Sequence, residues 1–183
     1  MNYPPLNNAE KVPLLFESLI AREIPNKFTF RFLEGIGFPS SSDRPLIGLL
    51  QFLGAIDNQG LPTQEYVLLR DQKNLHRNIG KLVSKSYKEL FAQNKNADTL
   101  SVEELVPLFL KETPVDITVA RKYARTFKAL AIFSTFVPED ASISETRKKK
   151  EVNISLSINL PISTDPKFYK EVLRNIMEGL GEE

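Results

Sequence analysis

One stretch of strict alternation constrains this chain more than any other feature. From Val152 to Leu160 every second residue is apolar, and the residues between them are Asn or Ser, which predicts a single β-strand with one apolar face. The rest of the sequence has helical periodicity. A lone strand cannot satisfy its own backbone hydrogen-bonding groups, so this one needs cover for its apolar face and another strand to pair with.

The composition is that of an ordinary soluble globular protein. The chain has 183 residues, of which 42% are hydrophobic and 26% are charged, and its formal net charge is +1. There is therefore no global basic field, and nucleic-acid binding would have to rest on local patches. The sequence has no cysteine, no secretory signal pattern and no apolar run approaching the roughly 20 residues of a membrane span. We expect a cytoplasmic protein with no membrane association.

The first half of the chain predicts a winged-helix-like unit. Helical periodicity over residues 11–22 is followed by a second helix near residues 27–37, for which Asn26 is the expected cap, and by a third over residues 44–53. The residue types from Asp57 to Gly60 are typical of a turn. They lie between two short apolar segments, which predicts a small hairpin. The third helix is so apolar that it is either buried or a surface for a partner.

A second unit of helix, turn and helix follows. One helix is predicted over residues 72–93. The stretch from Ser101 to Glu104 forms a capping box, and a long helix should span about Ile117 to Phe133. The predicted fold class is mainly α, a tandem winged-helix or helix-turn-helix-like body with a C-terminal strand and helix. The predicted domains are the body, residues 1–136, with sub-units 1–71 and 72–136; a linker, residues 137–151; and a strand-helix tail, residues 152–183.

No pattern in the sequence indicates a catalytic site. The single histidine, His76, lies at the border of an apolar helix face, where a surface role is expected, and acidic pairs such as Glu103 and Glu104 resemble helix-start charges. Gly35 and Gly37 end a helix instead of following a strand, so they do not form a dinucleotide-binding motif. We expect a non-enzymatic protein with no catalytic residue, no metal site, no cofactor and no evident small-molecule substrate.

Two predicted helices have a basic face opposite an apolar one, at about 100° per residue. The second of them follows the turn of the helix-turn-helix, and in such motifs that helix enters the major groove. Arg and Lys are the donors that guanine edges and phosphates accept. The candidate nucleic-acid-binding residues are Lys73, Arg77, Lys81, Lys85 and Lys88 on the first helix, and Arg121, Lys122, Arg125 and Lys128 on the second.

The tail is the third candidate surface. A strand followed by one amphipathic helix is too small for an independent core. The apolar face of the strand can be covered by the helix of the same tail, or the strand can pair with a second copy of the chain or with the sheet of a different protein. We favour pairing between chains. The candidate partner or oligomer interface consists of Val152, Ile154, Leu156, Ile158, Leu160, Phe168, Val172 and Ile176.

Several motifs of the body resemble a known family. The chain has a Phe-Leu helix, a Gly-Phe turn, the stretch "SSSDR", a Leu-Gly helix end and a Gly-x-Pro-Thr step. On these residues it resembles the domain of unknown function 5343 family over roughly Tyr3 to Ser134, and its tail is similar to the tail often attached to members. The resemblance implies a prokaryotic, helix-rich, winged-helix-like protein, and it supplies no catalytic residues to carry over.

Two functional hypotheses follow. The first is a non-enzymatic binding or adaptor protein that assembles through its tail with itself or with a protein partner, favoured by the lone strand and the apolar third helix. The alternative is a DNA-binding regulator, or a nucleic-acid-binding component of a prokaryotic defence or mobile-element system, that binds duplex DNA. The two basic faces favour this alternative.

Overall fold

The computed structural model describes residues 3–136 of the chain. The chain divides into two compact units, residues 1–146 and 147–183, and the described residues all belong to the first. The predicted linker 137–151 and the strand-helix tail 152–183, with every candidate interface residue from Val152 to Ile176, lie outside the described residues. Those predictions therefore stay predictions.

Residues 3–136 are mainly helical, which confirms the mainly α part of the predicted fold class. Short 3-10 turns at Ser41–Asp43 and Ala97–Thr99 interrupt the connections. These residues contain no β-strand, and the expected small hairpin amounts to one isolated antiparallel bridge between Ile56 and Pro62. The helices are α1 Lys11–Ile20, α2 Phe30–Gly35, α3 Pro45–Phe52, α4 Gln64–Leu68, α5 Leu75–Ser86, α6 Lys88–Gln93, α7 Val102–Glu112 and α8 Ile117–Phe133.

Local capping sets where several helices begin. The expected cap at Asn26 is wrong, because Thr29 caps α2 by accepting a hydrogen bond from the backbone N–H of Phe32. The predicted capping box at the start of α7 is confirmed, with Ser101 and Glu104 each accepting from the other's backbone N–H. A side-chain oxygen at this position satisfies N–H groups that the helix itself leaves without a partner.

The single helix predicted over residues 72–93 is two helices in the structure. Helix α5 ends at Ser86 and α6 begins at Lys88, with Tyr87 between them in a non-helical conformation (φ −103°, ψ 26°). The Tyr87 ring is fully buried and stacks on Tyr3 at 5.3 Å between ring centroids. The hydrophobic periodicity could not reveal this break, because the apolar residues of both helices fall on the same face of one continuous helical pattern.

Helix α8 lies at the centre of the body. It packs against α7, α5 and α1, and one hydrophobic core includes buried residues of both predicted sub-units. The N-terminal segment contributes to this core, since the backbone N–H of Leu6 donates to Thr126 Oγ1 at 3.2 Å. Tyr3 is fully buried. Its ring packs against the rings of Phe52, Tyr87, Phe109 and Tyr123.

The "SSSDR" stretch has a structural role. Ser40 and Asp43 form a capping box on the short 3-10 turn, and the buried Asp43 carboxylate also forms an ion pair with Lys11 Nζ at 2.6 Å. Arg44 lies over the Phe30 ring, 4.5 Å from its centroid. These contacts tie the start of α3 to α1 and α2.

The other two features singled out in this half are also structural. In the Gly-x-Pro-Thr step, Gly60 has φ +82°, and a Cβ there would lie 2.7 Å from the Phe28 carbonyl oxygen. Helix α3 is part of the core, with Leu46, Leu49 and Leu50 buried. Of the two alternatives for this helix, the structure therefore shows burial.

Candidate interaction surfaces

Helices α7 and α8 are packed neighbours joined by a short turn. Four residues, 113–116, connect them, and the two helices pack closely along their length. Asp116 caps α8 by accepting from the backbone N–H groups of Thr118 and Val119 at 2.7 and 3.0 Å. Those hydrogen bonds, that of Val119 first, hold the pKa of the Asp116 carboxyl below its ordinary value. The beginning of α8 is therefore firmly defined.

The side of α8 that faces solvent is a narrow strip of cations between two isoleucines. At about 100° per residue its five members fall within roughly 80° of the helix circumference. Ile117 is 57% exposed and Ile132 is 76% exposed, and no residue of α8 is acidic. The strip consists of Ile117, Arg121, Arg125, Lys128 and Ile132, and we call it the α8 strip.

The four predicted basic residues of α8 divide into two pairs. Lys122 Nζ donates to Asn7 Oδ1 at 2.9 Å, and Lys128 Nζ donates to the backbone carbonyl of Asp98 at 3.1 Å. Both lysines are half-buried. Arg121 and Arg125 are exposed and form no hydrogen bond or ion pair within the described residues. Within residues 3–136 the two lysines therefore hold α8 to its neighbours, whereas the two exposed arginines do not.

The basic stripe predicted from Lys73 to Lys88 is not a continuous cationic face. Lys73 lies in the turn before α5, and Lys88 belongs to α6. Lys85 forms an ion pair with Glu65 at 3.1 Å and Lys88 with Glu89 at 3.7 Å. Arg77 is half-buried and Lys81 is exposed. Acidic neighbours thus offset part of the charge along this surface.

The segment that follows α8 runs across α5 at Gly80. The backbone N–H of Thr135 donates to the carbonyl of His76 at 2.9 Å, and His76 Nδ1 lies 2.5 Å from the Phe133 carbonyl oxygen. A Cβ on Gly80 would collide with the backbone carbonyl oxygen of Thr135. Phe136 then packs on Phe91 at 5.6 Å between ring centroids. Residues 134–136 therefore form a strap on α5 and α6, and the exposed His76 helps to hold it.

A sequence model described as "Family of unknown function (DUF5343)" matches residues 4–141. The chain belongs to this DUF5343 family. No curated protein and no solved structure matches the chain. The family description supplies no activity, so functional inference for this DUF5343 protein depends on the surfaces of its own body.

Within residues 3–136 of the DUF5343 chain, no three His, Cys, Asp or Glu side chains are grouped so that they could hold a metal ion. No helix in the same range is long and apolar enough to cross a membrane. Two clefts in this range are wide open to solvent. One is lined by Pro62, Thr63, Gln64, Glu65, Val67 and Leu68, and the other by Lys88, Glu89, Ala92, Gln93, Lys111 and Glu112.

Sequence reasoning missed two features of the body. The isoleucines of the α8 strip were not recognised as surface residues, although each lies on the basic side of the helical pattern, which is the signal that could have found them. The second feature is the burial of the N-terminal segment, where the Tyr3 hydroxyl donates to Glu112, which also accepts from Gln93. Burial, together with the Glu112 carboxylate, raises the pKa of the Tyr3 phenol.

Proposed function

We propose that this chain is a non-enzymatic binding or adaptor protein that assembles through its tail with itself or with a protein partner. One observation carries the proposal: residues 3–136 contain no β-strand. The strand predicted over residues 152–160 therefore has no sheet edge in the body to pair with. The sequence on either side predicts a linker and a helix, so a strand from another chain is the remaining partner.

The length of the body fits a domain with a core of its own. A domain of roughly 135 residues is long enough to bury one, and the largest buried side chains of residues 3–136 include Tyr3, Tyr87 and Phe127. We therefore assign the tail to assembly and not to the core of the body.

Point variants in the full-length chain test this proposal. Ile154→Glu with Ile158→Glu places charge on the apolar face of the predicted strand, and Ser155→Glu with Ser157→Glu places the same charge on the polar face. Particle mass is measured by sedimentation equilibrium, for the chain alone and with its partner when one is known. We expect the first pair to reduce the mass to one chain and the second pair to leave it unchanged. If the unmodified protein is a monomer that keeps its partners without residues 151–183, the proposal is wrong.

A finer description of the body belongs to the same proposal. We infer that α1–α3 with the turn near Gly60, and α5 with α7 and α8, are winged-helix or helix-turn-helix-like units. The four-residue turn between α7 and α8 supports this interpretation. Such units serve both nucleic-acid and protein recognition, so this description does not by itself decide between the two hypotheses.

Duplex DNA is the second candidate, favoured by the exposed Arg121 and Arg125 on the second helix of the motif. Four residues apart, they project on the same side and offer the donors that guanine edges accept. Binding to a mixed-sequence duplex across a salt series tests it. Arg121→Gln with Arg125→Gln should weaken binding and reduce the salt slope by about 2. Absence of salt-sensitive binding by the unmodified protein would rule out this function.

A further inference from the structure

The two ends of the α7–α8 motif that would meet a DNA backbone already carry carboxylates. In helix-turn-helix complexes, helix N-termini supply N–H groups to phosphate oxygens. At the start of α7, Glu104 accepts from the backbone N–H of Ser101 at 2.8 Å, and at the start of α8, Asp116 accepts from two backbone N–H groups. All three of Glu103, Glu104 and Asp116 are exposed. These carboxylates disfavour phosphate at both helix starts, which favours a partner other than a DNA backbone for the α8 strip.

The apolar ends of the strip indicate what that partner is. Ile117 and Ile132 are separated by roughly 22 Å along the helix at 1.5 Å per residue. A recognition helix inserts mainly its N-terminal residues among the bases, which would leave Ile132 in water. A second helix laid along α8 covers both isoleucines and the arginines between them at once. Long exposed apolar side chains at both ends of a charged strip therefore favour a protein helix over a duplex.

We propose that the α8 strip docks an acidic amphipathic helix of a protein partner. Carboxylates of that helix face Arg121 and Arg125, and apolar side chains cover Ile117 and Ile132. Charge complementarity supports this occupant, because α8 has four basic residues and no acidic one and its two exposed arginines lack a partner within the described residues. The inference rests on the proposed binding role and names the partner class for the body, which is separate from assembly through the tail.

A synthetic helical peptide tests the docking with the full-length protein. It carries leucine near both ends and three glutamates on the same face, at the spacing of the α8 strip, and a control peptide has glutamine in place of glutamate. The spacing is almost the same in either direction, so the peptide can bind in either orientation. Affinity is measured by fluorescence anisotropy at physiological salt. We expect saturable binding of the acidic peptide, and binding of the control peptide at least about tenfold weaker.

Protein variants locate the binding to the strip. Arg121→Gln with Arg125→Gln should weaken peptide binding by about tenfold or more, and Ile117→Ser with Ile132→Ser by several-fold. Lys27→Gln with Arg31→Gln removes two exposed cations elsewhere and should change the affinity by less than about twofold. All six side chains are exposed, and circular dichroism checks that each variant keeps its helices.

Three results would overturn the docking proposal. These are no binding of the acidic peptide, equal binding to the arginine variant, and tighter binding of a mixed-sequence DNA duplex than of the peptide at the same salt. Failure of tail assembly is seen separately, in the particle mass of the unmodified protein and of the strand variants. The unmodified protein could bind the peptide and yet be a monomer that keeps its partners without residues 151–183. In that case the docking proposal would stand and the tail proposal would be wrong.

Discussion

Helices α5 and α8 both carry basic residues four apart, as Arg77, Lys81 and Lys85 on one and Arg121 and Arg125 on the other. The sequence treats them alike, but their surfaces differ. On α5 a nearby acid, Glu65, pairs with Lys85, and the basic series extends beyond both ends of the helix. On α8 the two arginines lie along one continuous helix that itself contains no acidic residue. We therefore expect a basic periodicity to indicate a binding surface only where the helix is continuous and no acidic side chain pairs with its exposed cations.

The largest effect we expect comes from breaking the contact between α5 and residues 134–136, which follow α8. Gly80→Ala places a methyl group against the Thr135 carbonyl and should destabilise the protein by about 1 to 3 kcal/mol, because the clash is with backbone. The Thr135 amide should also lose hydrogen-exchange protection as its bond to His76 breaks. Urea unfolding and exchange measured by NMR check both effects.

Gly48→Ala is the matched control for that substitution. Gly48 lies inside α3, and a Cβ there meets no atom within 4 Å. The change should therefore stabilise the protein by up to about 1 kcal/mol through higher helix propensity. Equal responses to the two substitutions would show that the strap does not constrain α5.

A smaller effect should separate the two pairs of cations on α8. Lys122→Met with Lys128→Met removes hydrogen bonds to Asn7 and to the Asp98 carbonyl, and we expect a loss of about 1 kcal/mol because both donors are partly solvated. Arg121→Met with Arg125→Met should change the free energy of unfolding by less than about 0.5 kcal/mol. Urea unfolding of both double variants makes the comparison. A larger loss in the arginine variant would mean that these side chains have a structural role.

On α5 the expected effect is smaller still. Lys85→Met removes an ion pair in which the lysine side chain is 73% exposed, so the cost should be a few tenths of a kcal/mol and should disappear at high salt. Thermal unfolding at low and high salt measures it. A cost of more than about 1 kcal/mol that persists in salt would show that the Lys85–Glu65 pair holds α4 to α5.

The smallest effect we expect is a difference in how folding stability falls at acidic pH. The pKa of Asp116 is lowered in the folded protein, so its contribution to stability is complete above the unfolded pKa, near 4, and is lost as pH falls through the lower folded value. Asp116→Ala lacks this contribution at neutral pH and should show a shallower loss of stability below about pH 4. Denaturant midpoints from pH 7 to 3 test the prediction. Parallel curves for the two proteins would contradict it.

Local signals explain what the sequence predicted well. The bounds of α8 and the capping box of α7 follow from residues within four positions of each other, and both predictions are confirmed. At the break, Tyr87 stacks on Tyr3, and Lys122 binds Asn7, which is 115 positions away. Patterns along the sequence cannot encode such pairings.

The candidate surface was predicted only in part, for the same reason. The sequence identified all four basic residues of α8, but which of them bind the protein itself is decided by where the N-terminal segment and the turn at Ala97–Thr99 lie. The exposure of Ile117 and Ile132 likewise depends on how far α7 and α5 extend beside α8. The residue types on a helix face can be predicted from the sequence pattern. Whether their side chains are exposed depends on the tertiary fold.

The hydrogen bond between Leu6 and Thr126 can form only late in the synthesis of the chain. The two residues are 120 positions apart. At 5 to 20 residues per second a ribosome needs about 6 to 24 s to make the second after the first. Until then Leu6 and Tyr3 are without their partners in α8. The apolar side chains that precede α1 are thus fully buried only after α8 has been made.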